Sequence, residues 1–112
     1  MKLKTVVELL DAKVLGSSYD DNKEVLAACG SDLMSDVLAF VKDQALLLTG
    51  LVNSQVVRTA EMMDMKAIVF VRGKVPGDDI VSLADEAGIA VLSTQLPLYI
   101  SCGKLYCEGL YK

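Results

Sequence analysis

Apolar and polar residues change their spacing several times along the chain, and each change marks an element. Thr5–Leu10 carries apolar residues at Val6, Leu9 and Leu10, the spacing of one helix face. Ala12–Leu15 reads as a short strand closed by Gly16, and Glu24–Cys29 as a second strand closed by Gly30. Between them Ser17–Asn22 is acidic and turn-rich, which predicts the most mobile loop of the chain. Ser31 or Asp32 can cap a helix whose apolar positions Leu33, Met34, Val37, Leu38 and Phe40 recur at helical spacing.

Past Asp43 the pattern repeats. Ala45–Leu48 is a continuous apolar run, as in a strand covered on both faces. Thr49–Val52 turns the chain, and Asn53 or Ser54 caps a helix bearing Val56, Val57, Ala60, Met62 and Met63. Ala67–Val71 is the next strand, Arg72–Gly77 a loop, and Asp78-Asp79 open a helix whose positive end suits acidic residues. Its apolar face is Ile80, Leu83, Ala84 and Ala87, and Gly88 ends it. Ile89–Leu92 is a further strand, and a last helix starts near Leu96-Pro97, with proline in the first turn. Strand and helix thus alternate with a period of roughly 22 residues, which predicts a mainly parallel sheet with right-handed crossovers.

The expected fold is a single α/β domain over residues 1–112, with an entry region at 1–30 and repeated strand-helix units at 45–110. A chain of this length buries roughly 65% of its unfolded surface, so it needs no metal or disulfide staple. With 53% apolar and 23% charged residues the composition is globular.

Charge and chemistry then narrow the function. The net charge is −4 and no basic stripe or aromatic platform is present, which argues against nucleic acid as a partner. Histidine is absent, removing the usual neutral-pH base, the Ser-His and Cys-His pairs and the His-containing zinc sites. The three cysteines, Cys29, Cys102 and Cys107, form no C-x-x-C and read as free, buried thiols in a reducing cytoplasm. No window approaches the roughly 18 apolar residues of a membrane span. The expectation is a soluble cytoplasmic protein with no cofactor, no metal and no membrane contact.

Ligands of open parallel sheets bind beyond the carboxyl ends of the strands. Here that rim would hold Ser31 and Asp32, then Thr49, Gly50 and Asn53, then Arg72, Gly73 and Lys74, then Ser93 and Thr94. Hydroxyls, glycines and two cations are suited to a phosphate or carboxylate. The same residues also serve as helix caps and turn formers. Neither G-x-G-x-x-G nor G-x-x-x-x-G-K-[ST] occurs. The acidic pairs Asp20-Asp21 and Asp78-Asp79 have structural explanations, so the residues argue against an enzyme. Met62, Met63 and Met65 are read as core packing. Leu105, Tyr106, Leu110 and Tyr111 are candidate members of an interface.

The stretch from Ala45 to Leu110, with AIVFVRG, the turn and helix from Pro76 to Ile89, and the strand end VLST, resembles the DRTGG domain. The preceding CGSDLMSDVLAF is similar to the segment that leads into it in stand-alone members. Where many members read Thr-Gly-Gly, this chain has Val71-Arg72-Gly73. The resemblance implies a sheet of four to six strands with helices on both faces, like the amino-terminal domain of HPr kinase/phosphorylase. It implies regulation and not catalysis: the kinase activity of that enzyme lies in a separate P-loop domain, and this chain has no P-loop. Related domains accompany CBS-domain pyrophosphatases, which respond to adenine nucleotides, and long phosphotransacetylases. The implied partners are a second copy of the chain as a homodimer, a protein partner, and an adenine nucleotide or other small anion. A further implied role is that of an accessory subunit to a phosphotransfer or hydrogenase-associated system.

Overall fold

A computed structural model describes residues 1–40 and 43–112. The elements in chain order are α1 (Leu3–Leu10), β1 (Lys13–Leu15), β2 (Ala27–Gly30), α2 (Met34–Ala39), β3 (Ala45–Thr49), α3 (Ser54–Met62), β4 (Ala67–Phe70), α4 (Asp78–Glu86), β5 (Ala90–Ser93) and α5 (Leu98–Cys107). The strands form one sheet in the order β1-β5-β4-β3-β2. The four strands β2 to β5 run parallel in sequence order, and β1 adds an antiparallel edge against β5.

The three apolar runs became β3, β4 and β5 because both of their faces are covered. In β3, Leu47 faces the helices α2 to α4, while Leu46 and Leu48 face α1 and α5. In β4 the same division places Ile68 and Phe70 on one side and Ala67 and Val69 on the other. Every residue of these three strands is buried. Continuous hydrophobicity without alternation is the signature of such two-sided burial.

Several expectations are corrected. Neither Ser31 nor Asp32 caps α2, whose N-terminal boundary residue is Leu33 with no side-chain cap. The segment Glu24–Cys29 becomes a strand only from Ala27, with Glu24 in an isolated bridge to Lys2. The Ser17–Asn22 loop is tied down, not free. Asp85 of α4 accepts hydrogen bonds from the backbone N–H groups of Ser17 (3.0 Å) and Ser18 (3.1 Å), and from the Ser18 hydroxyl (3.0 Å). Those donors, the Ser17 N–H foremost, hold the Asp85 carboxyl below its usual range. Gly16 lies at φ +72°, and a Cβ there would meet the Asp85 carboxylate at 2.7 Å.

The methionines split. Met65 is buried, Met63 packs partly against the core, and Met62, at 74% exposure, points to solvent. Leu105 and Leu110 are core residues, whereas Tyr106 and Tyr111 are exposed. Of the thiols Cys29 is buried, Cys102 half-buried and Cys107 exposed. No helix among the described residues is long and apolar enough to cross a membrane.

Candidate functional site

The carboxyl ends of β2, β3 and β4 bring part of the expected rim into one cluster. Asp32 follows β2, and its carboxylate reaches across to the end of β3 instead of capping its own helix. Its Oδ1 accepts from the Gly50 N–H at 2.7 Å and from the Thr49 hydroxyl at 3.1 Å. Thr49 Oγ1 in turn accepts from the Leu51 N–H at 3.1 Å, which fixes the turn leaving β3. The second oxygen, Oδ2, lies 3.5 Å from Arg72 Nη2, with both side chains about half exposed.

Arg72 is placed by its backbone. It adopts φ +60°, a left-handed conformation uncommon for a residue with a Cβ. The following Gly73 has φ +71°. Two hydrogen bonds hold this turn, from the Arg72 N–H to the Leu96 carbonyl and from the Gly73 N–H to the Thr94 carbonyl, each 2.9 Å. The guanidinium then lies over Gly50, where a Cβ would collide with Nη2. A side chain at position 50 would push the arginine away. The notch at Gly73 is similarly filled by Gln95, whose Oε1 would lie 2.7 Å from an added Cβ.

Other rim residues are engaged in folding. Asn53 caps α3 by accepting from the Val56 N–H at 3.1 Å. The Ser93 hydroxyl donates to the Lys74 carbonyl at 2.8 Å, and the Thr94 hydroxyl donates to the Leu10 carbonyl at 2.7 Å. The Ser31 hydroxyl accepts from the Leu33 N–H at 3.0 Å. The groups left for a visitor are the outer side of Arg72, the exposed Lys74 and whatever Asp32 releases.

The topology keeps this rim shallow. Because β2 to β5 all step in one direction, the parallel strands have no switch point where crossovers diverge and open a crevice. A groove of about 720 Å³ lies instead beside α5, lined by Ala28, Gly30, Tyr99, Cys102, Tyr106 and Leu110 among others. Burial pushes the Cys102 thiol up from its usual pKa, with a smaller push from nearby Cys29. Gly30 makes room for it, since a Cβ there would lie 2.6 Å from Cys102 Sγ. Tyr99 and Ile100 escaped sequence reasoning. The signal was a last helix apolar on every side.

The family model for the DRTGG domain matches residues 5–99 of the 112. The chain belongs to the DRTGG domain family. No curated protein matches it in sequence. Among solved structures it is similar to the CBS and DRTGG domains of the regulatory region of Clostridium perfringens pyrophosphatase, solved with its activator diadenosine tetraphosphate. The TM-score is 0.77 at 12% identity, over 93% of this chain and 45% of that one. This DRTGG domain therefore spans less than half of that regulatory region and shares its fold.

Proposed function

We propose that this DRTGG domain is a non-catalytic regulatory module that works as a homodimer and takes a small anionic ligand at the carboxyl rim. One observation carries the ligand half. The rim already holds an anion, the Asp32 carboxylate, on the Gly50 N–H and against Arg72. A ligand phosphate would take the same donors by displacing Asp32, and the exposed Lys74 follows two residues after Arg72 on the same loop. Charge-assisted bonds of this kind are the strong ones. An adenine nucleotide is the class to test first, because the similar regulatory region binds diadenosine tetraphosphate. The absence of histidine and of a phosphate-binding loop from the sequence supports the non-catalytic part.

The test is thermal unfolding against adenine nucleotides, diadenosine polyphosphates and inorganic phosphate. A ligand at about one hundred times its Kd adds about 2.7 kcal/mol, a shift on the order of ten degrees. Arg72→Ala with Lys74→Ala is expected to abolish the shift, and Asp32→Asn to enlarge it at a fixed ligand concentration. A flat response from both the wild type and Asp32→Asn overturns the ligand half.

A further inference from the structure

Helix α5 sets Tyr99, Cys102, Gly103 and Tyr106 in one stripe, at spacings of three and four residues. The two tyrosines are exposed, Cys102 between them is half-buried, and Gly103 has no side chain to fill the gap. Seven residues separate the tyrosines, a rise of about 10 Å along the helix axis. A flat ring placed midway meets each of them at about 5 Å, a stacking separation. Tyr106 is held from its other neighbour, Tyr111, whose ring stands edge-on to it with centroids 5.1 Å apart. The stripe lines the groove of about 720 Å³, together with Ala28 and Gly30 of β2, and that volume suits a small organic ligand.

Gly103 is the residue the fold itself does not require. A glycine in a helix interior is destabilising relative to alanine. Packing does not demand it, because a Cβ there would meet nothing within 4 Å. Backbone geometry does not demand it either, because Gly103 is not among the left-handed glycines of the chain. Its bare backbone provides close approach for a group from outside the chain. The stripe also starts at the rim. Leu96, three residues before Tyr99, accepts the Arg72 N–H at 2.9 Å. Gly30, over which Cys102 Sγ lies, is two residues from Asp32. From Leu96 to the middle of the gap is about 10 Å along the helix direction. A free phosphate cannot touch both places, whereas a nucleoside di- or triphosphate holds its last phosphate and its base that far apart.

We infer that the gap between Tyr99 and Tyr106 is the base subsite of a nucleoside di- or triphosphate whose last phosphate takes the rim. The inference rests on the anion reading of the rim and names the molecule that reading leaves open. Stacking accepts every base, so the gap sets no preference among them. Calorimetric titration with ATP, and with tripolyphosphate as the same phosphates without a ring, tests it. ATP is expected to bind about ten-fold or more tighter than tripolyphosphate. Tyr99→Ala, at a side chain 86% exposed, is expected to remove that advantage and leave tripolyphosphate binding unchanged. Gly103→Ala is expected to raise the Tm of the free protein by a few degrees and yet weaken ATP. ATP, and not tripolyphosphate, is expected to slow alkylation of Cys102, followed by mass mapping. Tripolyphosphate binding as tightly as ATP overturns the base subsite and leaves the rim standing, as does ATP binding unmoved by both α5 substitutions. ATP binding unmoved by Arg72→Ala with Lys74→Ala overturns the rim and this joined ligand together, and so does a failure of both compounds to bind.

Discussion

Helices α4 and α5 do the same inner work on opposite faces of one sheet and differ on the side turned away from it. α4 buries Ile80 and Ala84 and carries Asp78, Asp79, Asp85 and Glu86 elsewhere around its circumference. α5 buries Ser101 and Leu105 but turns tyrosines and an isoleucine outward. The inner faces show that the sheet demands small and aliphatic side chains. The outer faces differ, with acidic residues meeting water on α4 and aromatic side chains standing exposed on α5. Inner composition reports the fold, and outer composition reports the surroundings.

If the inner faces are equivalent, truncating either should be costly in the same way. Leu105→Ala and Ile80→Ala are each expected to lose about 2–5 kcal/mol in urea unfolding. A loss from one alone would break the equivalence. A smaller effect of opposite sign comes from Ser101, whose buried hydroxyl has no hydrogen-bond partner. Ser101→Ala is expected to raise stability by up to about 1 kcal/mol, bringing α5 closer to its counterpart, which has Ala84 inside.

Asp85 sharpens the contrast through pH. Its folded pKa is depressed, so its contribution is present above the unfolded aspartate value, about 3.9, and is lost as pH falls through the folded one. Asp85→Asn should lower Tm at neutral pH, and its unfolding curve should converge on that of the wild type under strong acid. A gap independent of pH would mean that the carboxylate charge plays no part in holding the Ser17–Ser18 turn. The smallest effect is expected on the outer faces. Glu86→Lys and Tyr106→Glu should each stay within about 0.5 kcal/mol of wild type in urea unfolding, and a larger loss from either would mean that its outer face belongs to the packed body.

These contrasts also separate what sequence spacing reveals from what it hides. The buried strands β3, β4 and β5 were legible because two-sided burial leaves an unbroken apolar run in the chain itself. The helix caps were only half legible. Asn53 caps α3 as its position suggests, because its acceptor serves a local N–H. Asp32 looks the same in sequence, yet its carboxylate gains more from the Gly50 N–H and Arg72, contacts that exist only once β3 and β4 stand beside β2. Ser17–Asn22 looked mobile for the same reason, since its tether lies 68 residues away in α4. Met62 was misplaced by a finer error. Val56, Val57 and Ala60 define the inner stripe of α3, and Met62 lies two residues past Ala60, more than half a turn round the helix. For the site, residue types at strand ends located the rim. They did not reveal that Ser93, Thr94 and Asn53 are consumed by the fold, or that an internal carboxylate sits on the best donor.

The antiparallel edge carries a consequence in time. Each parallel pairing joins neighbouring strands of the sequence, so β2 to β5 can assemble unit by unit with short loops to close. β1 is the exception. It pairs with β5, and the Thr94 hydroxyl reaches the Leu10 carbonyl across 84 residues of chain, so its pairing closes the longest loop of the sheet. An edge strand held along three residues, two of them exposed, opens at low cost. In native-state hydrogen exchange the amides of Lys13–Leu15 should open at low cost while those of β3 and β4 exchange only on global unfolding, so that the antiparallel edge of the sheet yields before its parallel body.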